Sequence, residues 1–168
     1  MARYNRRRYP SYRRQEKNYS WFPVDFNKAQ SWASGKNYLI ATSDAHDFDT
    51  VCERQRGLIT WIPSSGSAQV ESGILYSVVL PSIIVNTPTP GDELPDNFPN
   101  PADPNGTDDF ALWHPFSTNN QYSLAFDSKA RRKVGKDELL YLGLRIDRGL
   151  TASLSLGVLG RCLFSWKI

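Results

Sequence analysis

The stretch Thr151–Lys167, TASLSLGVLGRCLFSWK, decides the fold class. Its even positions run Ala152, Leu154, Leu156, Val158, Gly160, Cys162, Phe164 and Trp166. Its odd positions are mostly Ser, Thr, Gly, Arg and Lys. A period of two places one set of side chains on a buried face and the other on an open one, as an extended strand does. Leu159 and Leu163 interrupt the pattern, and Gly157 or Gly160 is expected to mark a bulge or a turn between two strands.

The same signal recurs upstream. Leu140, Leu142, Leu144 and Ile146 alternate within Leu139–Ile146, and Tyr122, Leu124 and Phe126 form a shorter case. Tyr38–Thr42, Arg56–Ile62 and Gly73–Val85 are rich in Ile, Leu, Val, Tyr and Trp, with Pro63 and Pro81 as breakers or edge positions. No segment carries a sustained 3.6-residue apolar stripe with caps; one short helix is expected over Val24–Trp32. Six to eight strands joined by loops of varied length predict an all-β chain, folded as an antiparallel sandwich or barrel. With 168 residues, 40% of them hydrophobic, the chain has the length and the apolar content of one domain with a buried core. Residues 86–115 contain seven prolines and most of the acids of the middle of the chain. They are expected to form a long surface loop, pinned by Phe98, Phe110, Leu112 and Trp113.

Charge is distributed unevenly. Residues 1–17 hold Arg3, Arg6, Arg7, Arg8, Arg13, Arg14 and Lys17 against Glu16 alone, a net of +6 within a chain whose total is +3. Pro10 and the lack of large aliphatic residues predict a disordered arm over residues 1–20, ahead of a folded domain over 21–168. Guanidinium groups pair with phosphates, and Tyr4, Tyr9 and Tyr12 among them can stack on unpaired bases. The arm therefore reads as nucleic-acid-binding, and as a possible nuclear localisation signal. Between Arg56 and Lys129 there is no Lys or Arg, yet there are eight acids: Glu71, Asp92, Glu93, Asp96, Asp103, Asp108, Asp109 and Asp127. A polyanion avoids such a segment, which is expected to face away from bound nucleic acid.

The chain lacks the marks of an enzyme. There is no nucleophile elbow, Walker phosphate loop, dinucleotide fingerprint or pair of histidines at metal-ligand spacing. Asp44, His46, Asp47, Asp49 and Cys52 could ligate a metal, but a polar loop before a strand is the favoured reading. The spacing Asp92, Asp96, Asp103 and Asp108 fits no known calcium loop. Two cysteines, Cys52 and Cys162, give no disulfide framework and suit a reducing compartment. No apolar run is long enough to span a membrane as a helix, and none follows the basic N-terminus as a secretory signal would require.

The order of several motifs carries a resemblance. Arg54-Gln55-Arg56-Gly57-Leu58-Ile59-Thr60-Trp61 leads through Glu71-Ser72-Gly73-Ile74 to a Pro-rich loop ending in Leu112-Trp113. Asp127-Ser128-Lys129-Ala130-Arg131-Arg132-Lys133-Val134, Asp137-Glu138-Leu139 and a closing Gly160–Trp166 strand follow. Together with the Arg-rich arm, this resembles capsid proteins of circular Rep-encoding single-stranded DNA viruses, of nanovirus-like or circovirus-like type. The resemblance covers residues 50–168 plus the arm. It implies a single eight-stranded antiparallel jelly roll without catalytic residues, metal or cofactor. It further implies a subunit that associates with itself into a closed shell of about sixty copies and packages single-stranded DNA nonspecifically through the arm. Lys129, Arg131, Arg132 and Lys133 would lie on the inner surface. The places of action would be the virion and, during assembly, the host nucleus, reached through host import machinery and without a membrane partner.

Two alternatives stay open: the capsid of a small RNA satellite virus, and a cellular nucleic-acid-binding β-domain with a basic extension. A cellular module of the OB type would need cations and exposed aromatics on its strands, and residues 57–128 offer no cation. If Arg–phosphate pairing carries the binding, replacing the six arm arginines with alanine flattens the dependence of log affinity on log salt. Replacing Tyr4, Tyr9 and Tyr12 instead lowers affinity for single strands and leaves that slope nearly unchanged. Salt titrations of the three proteins on one oligonucleotide check both outcomes.

Overall fold

Alternating side chains build nine strands among the described residues: β1 (Lys17–Ser31), β2 (Lys36–Thr42), β3 (Thr50–Pro63), β4 (Val70–Pro81), β5 (Phe110–Ser117), β6 (Ser123–Ser128), β7 (Arg132–Val134), β8 (Glu138–Gly149) and β9 (Ser153–Lys167). They belong to a computed structural model that describes residues 16–63, 70–82, 88–103, 110–117, 123–149 and 153–167. The expected disordered arm, with Arg3, Tyr4, Arg6, Arg7, Arg8, Tyr9, Tyr12, Arg13 and Arg14, lies outside the described residues apart from its last positions.

The chain is all-β, with two antiparallel sheets packed face to face. One has the order β1-β9-β3-β6, with β7 also paired to β3; the other has the order β2-β8-β4-β5. No helix among the described residues is long and apolar enough to cross a membrane. Between the sheets lie Val24 and Phe26 of β1, Ile59 and Trp61 of β3, and Leu156, Val158, Cys162 and Phe164 of β9. Facing them are Tyr38, Ile40, Leu75, Phe116, Leu142, Leu144 and Ile146 of the second sheet. Each large apolar side chain buried in this way contributes about 1.5–3 kcal/mol.

Several expectations are corrected. Val24–Trp32 is not a helix: Val24 and Phe26 enter the core as alternate residues of β1, which pairs with β9 along its whole length. Tertiary pairing outweighs the weak local preference of that segment. Residues 17–20, assigned to the arm, already belong to β1, where Lys17 pairs with Lys167. The described residues form nine strands, not eight, because residues 129–131 interrupt the edge of the first sheet. β7 pairs with Thr50–Cys52 and β6 with Gln55–Thr60, end to end along the same side of β3. The bulge expected at Gly157 or Gly160 is absent, since β9 runs unbroken. The register shift falls instead in β3, between Cys52 and Arg54.

The loop over 86–115 is shorter than its composition implies. Phe110–Ser117 forms β5 on the edge of the second sheet, where Pro115 is tolerated. Residues 88–103 fold over the outer face of that sheet. Leu94 and Phe98 pack with Leu39, Ile74, Tyr76, Val78, Phe110 and Tyr141 in a second apolar cluster. The backbone of this segment also lines the edge strand β2. Gly91 donates to the Leu39 carbonyl at 2.7 Å, Leu39 to Asp92 at 3.0 Å and Leu94 to Asn37 at 2.7 Å. Gly91 has φ +93°, which a side chain would strain.

Gly57 of β3 faces Gly160 of β9 across the sheet. A Cβ on Gly57 would come within 2.6 Å of Gly160 Cα and 2.9 Å of the Phe126 ring. Gly57→Ala should therefore lower stability by about 1–3 kcal/mol. At roughly 2–4 °C per kcal/mol for a domain of this size, thermal melting reads the loss. An unchanged midpoint would refute the close approach.

Candidate nucleic-acid interface

Because β9 buries Val158 and Cys162, its alternate residues Leu159 and Arg161 stand on the outer face of the first sheet. The register sets Arg161 opposite Pro23 of β1 on one side and Arg56 of β3 on the other, with Trp21 opposite Leu163. Trp21 is 41% exposed, and its ring lies 4.3 Å from the Arg161 guanidinium and 5.5 Å from that of Arg56. Such contacts hold the guanidinium planes while keeping their charge. Tyr19, Leu58 and Leu159 are exposed on the same strands.

The irregularity in β3 changes which residues face outward. Cys52 and Gln55 are both buried, so Glu53 and Arg54 turn away from the core together. Arg54 grips Asp127 of β6 in a fork, Nε to Oδ1 at 2.9 Å and Nη2 to Oδ2 at 2.5 Å. That guanidinium holds the Asp127 carboxyl below its ordinary range. Glu53 is the hub of the end where β1 begins. Its carboxylate accepts from Ser165 Oγ at 2.5 Å and meets Arg131 Nε at 2.5 Å and Lys17 Nζ at 3.4 Å. Burial alone would raise the Glu53 pKa, but the bonds from Ser165, Arg131 and Lys17 hold it lowered. Beside it, Lys133 pairs with Asp49 at 2.6 Å, and Asp49 also accepts the Lys136 N–H at 3.0 Å. Lys133 and then Lys136 keep the Asp49 carboxyl low.

The residues expected on an inner surface do not form one patch. Arg131 and Lys133 stand at this end, where Lys17 joins Arg131 on Glu53. Arg132 turns instead to the Phe110 carbonyl, with Nη2 donating at 3.3 Å. Lys129 is exposed near Asp127, whose carboxyl it helps to keep low. Trp21, Arg56 and Arg161 are the residues that sequence reasoning missed as a site. Alternation marked Arg161 as outward, but nothing local placed it beside Trp21. The absence of cations between residues 57 and 128 does not strip the strands of charge, because this face draws on β1, the first half of β3 and β9. Among the described residues, neither Arg56 nor Arg161 has a carboxylate partner.

The opposite face is acidic. Asp92, Glu93, Asp96 and Asp103 lie in the segment folded over the second sheet, with Glu93 3.2 Å from Lys36 and Asp92 3.9 Å from Lys28. The two outer faces of the sandwich thus differ in charge.

Cys52 and Cys162 are buried free thiols, each pushed up to about 12, by burial above all. Cys52 faces the core and Asp49 is engaged by Lys133, so the run from Asp44 to Cys52 is not gathered as a ligand set. Among the described residues, no three His, Cys, Asp or Glu are placed to hold a metal ion. No protein-family model matches this chain, and no curated protein matches it.

Glu53 makes the root of this face sensitive to acid. A carboxyl whose folded pKa is lowered contributes stability above its unfolded pKa and loses it as pH falls through the folded value. The wild type should therefore lose more thermal stability than Glu53→Gln on going from neutral pH to below the ordinary glutamate range. Parallel melting curves against pH check this, and equal slopes for both proteins would show that Glu53 is not held ionised.

Proposed function

We propose that this protein is a coat subunit that assembles with copies of itself into a closed shell around single-stranded nucleic acid. The observation that carries the reading is the opposition of its two faces. A subunit that forms a wall needs one side that accepts polyphosphate and one that does not. The β1-β9-β3-β6 face offers Arg56, Arg161 and Trp21, and β1 continues directly from the Arg-rich arm. The β2-β8-β4-β5 face carries Asp92, Glu93, Asp96 and Asp103. The strand order agrees with a jelly roll if β6 and β7 share one of eight positions, since such a roll sets first and last strands side by side.

In this reading the arm and the basic face neutralise phosphates and release counterions without regard to sequence. Arg-Tyr chemistry serves deoxyribose and ribose strands alike; the resemblance of the motifs favours DNA. The shell would hold about sixty copies, the closed arrangement in which every subunit makes the same contacts. No catalytic step, metal or cofactor is part of the proposal.

The test is electron microscopy of the purified protein with single-stranded DNA. Closed particles are expected, and Arg56→Glu with Arg161→Glu should yield particles carrying less nucleic acid, read by absorbance ratio. A monomer by light scattering at every salt concentration, with nucleic acid present, would overturn the shell. The exposed Trp21 between two arginines also favours a second reading, a nucleic-acid-binding β-domain that works without assembling. Tight oligonucleotide binding by a strictly monomeric protein would select that one.

A further inference from the structure

We infer that the end of the sandwich where the arm joins β1 contains a binding cleft for one unstacked nucleotide of a single strand. The inference rests on the reading that this protein meets nucleic acid; it adds a located site and its mode of contact.

A cleft of about 560 Å³ opens there, between the start of β3, β7 and the last residues of β9. That volume falls within the range of small-ligand sites, about 300–1,000 Å³. Its wall is aromatic. Phe48, in the loop before β3, is 45% exposed and contacts Trp166 of β9, with ring centroids 5.7 Å apart and planes at 46°. His46 stacks on Phe48 at 5.3 Å and 27°. An exposed phenylalanine held between two other rings forms a ready surface for a base. A tilt of 46° at 5.7 Å leaves no room between Phe48 and Trp166, so the base lies against the pair from the open side.

The cleft is also lined by four cations: Lys17, Arg131, Lys133 and Lys167. Two carboxylates oppose them. Asp49 lines the cleft but is taken by Lys133 and the Lys136 N–H, and Glu53 is taken by Lys17, Arg131 and Ser165. Four cations against these two engaged carboxylates and Glu138, whose charge also acts on Lys133, leave net positive charge for a phosphate beside the aromatic wall. Rings next to surplus cations are what a nucleotide requires, its base stacking and its phosphate pairing. A duplex is excluded, because its bases are stacked on each other.

The polar groups of the cleft floor are already used. Thr50 Oγ1 donates to the Val134 carbonyl at 3.5 Å, and Ser165 Oγ donates to Glu53. Both residues are also buried, which keeps their remaining lone pairs from base edges, so the cleft should accept any base. Its position adds a geometric argument. Lys17 is both a cleft residue and the first residue of β1, so a strand gathered by the arm is delivered here.

The experiment uses the full chain with a bromodeoxyuridine-substituted single-stranded oligonucleotide, irradiated and mapped by mass spectrometry. Cross-links on Phe48 or Trp166 are expected, and a duplex of the same length should give none there. Phe48→Ala should weaken oligonucleotide binding about 5- to 150-fold, the range for loss of one stacked base. It should leave the salt slope unchanged, and Phe48→Tyr should restore affinity. Phe48 lies in an exposed loop, so this variant folds even if a Trp166→Ala variant does not. Cross-links confined elsewhere, with Phe48→Ala binding as the wild type, would overturn the cleft while leaving the shell proposal intact. Equal cross-linking of duplex and single strand at Phe48 and Trp166 would overturn the stacking mode. A wild type that binds no oligonucleotide at all would overturn both the cleft and the reading beneath it.

Discussion

β9 is hydrogen-bonded on both sides, to β1 and to β3, and the rest of the molecule depends on that strand. Successive side chains of an extended chain point to opposite faces. Burying Leu156, Val158, Cys162 and Phe164 therefore obliges Leu159 and Arg161 to face outward. The basic face is in this sense a consequence of the core. Central placement also imposes the close approach of Gly57 and Gly160, where the backbones of β3 and β9 leave no space for a Cβ. Below the face, Gln55 links the sheets through polar groups. Its Nε2 donates to Ser77 Oγ at 2.8 Å, and the Cys162 thiol approaches its Oε1 at 3.8 Å. Buried polar atoms so paired avoid the cost of desolvation without partners.

The charge of the face follows from how its carboxylates are used. Asp127 is held by Arg54, Asp49 by Lys133, and Glu53 by Lys17 and Arg131 together. The exposed pairs Arg54–Asp127 and Lys133–Asp49 contribute little to stability, with a median of about 0–1 kcal/mol for such pairs. Their larger effect is to fix side chains and occupy these acids, and among the described residues Arg56 and Arg161 have no carboxylate partner. One extra residue in β3 makes this possible. Without the shift at Cys52–Arg54, Glu53 and Arg54 would point to opposite faces.

Two stacked sheets leave unpaired edges, and this chain treats them differently. The β2 edge is covered by the backbone of Gly91, Asp92 and Leu94. The β1 and β5 edges carry Pro23 and Pro115, which withhold a donor from any added strand. The segment that covers β2 also places its acids over the second sheet, so one device serves both edge protection and the separation of charge. Closing the first sheet requires Lys17 to find Lys167, and long-range pairing of this kind folds slowly.

The sequence by itself determined the class of fold and the inward and outward sets of several strands. The alternation in β8 and β9 is local, and Leu156, Val158, Cys162 and Phe164 are buried as it predicts. It was less informative for β1, where Phe22, Val24 and Phe26 sit among polar residues: residues 17–20 fall in the expected arm and Val24–Ser31 in the expected helix. It failed for β5, where Pro115 within the strand and the prolines before it made an edge strand look like loop. The arm cations were legible from composition alone, since a run of arginines is visible without any structure. The face formed by Trp21, Arg56 and Arg161 was not, nor was the cleft of Phe48, Trp166 and Arg131. Only the tertiary structure decided these, because alternation fixes which way a side chain points but not which strands are neighbours. Neighbours are chosen by pairing between distant parts of the chain, and that pairing determines which outward residues share a surface.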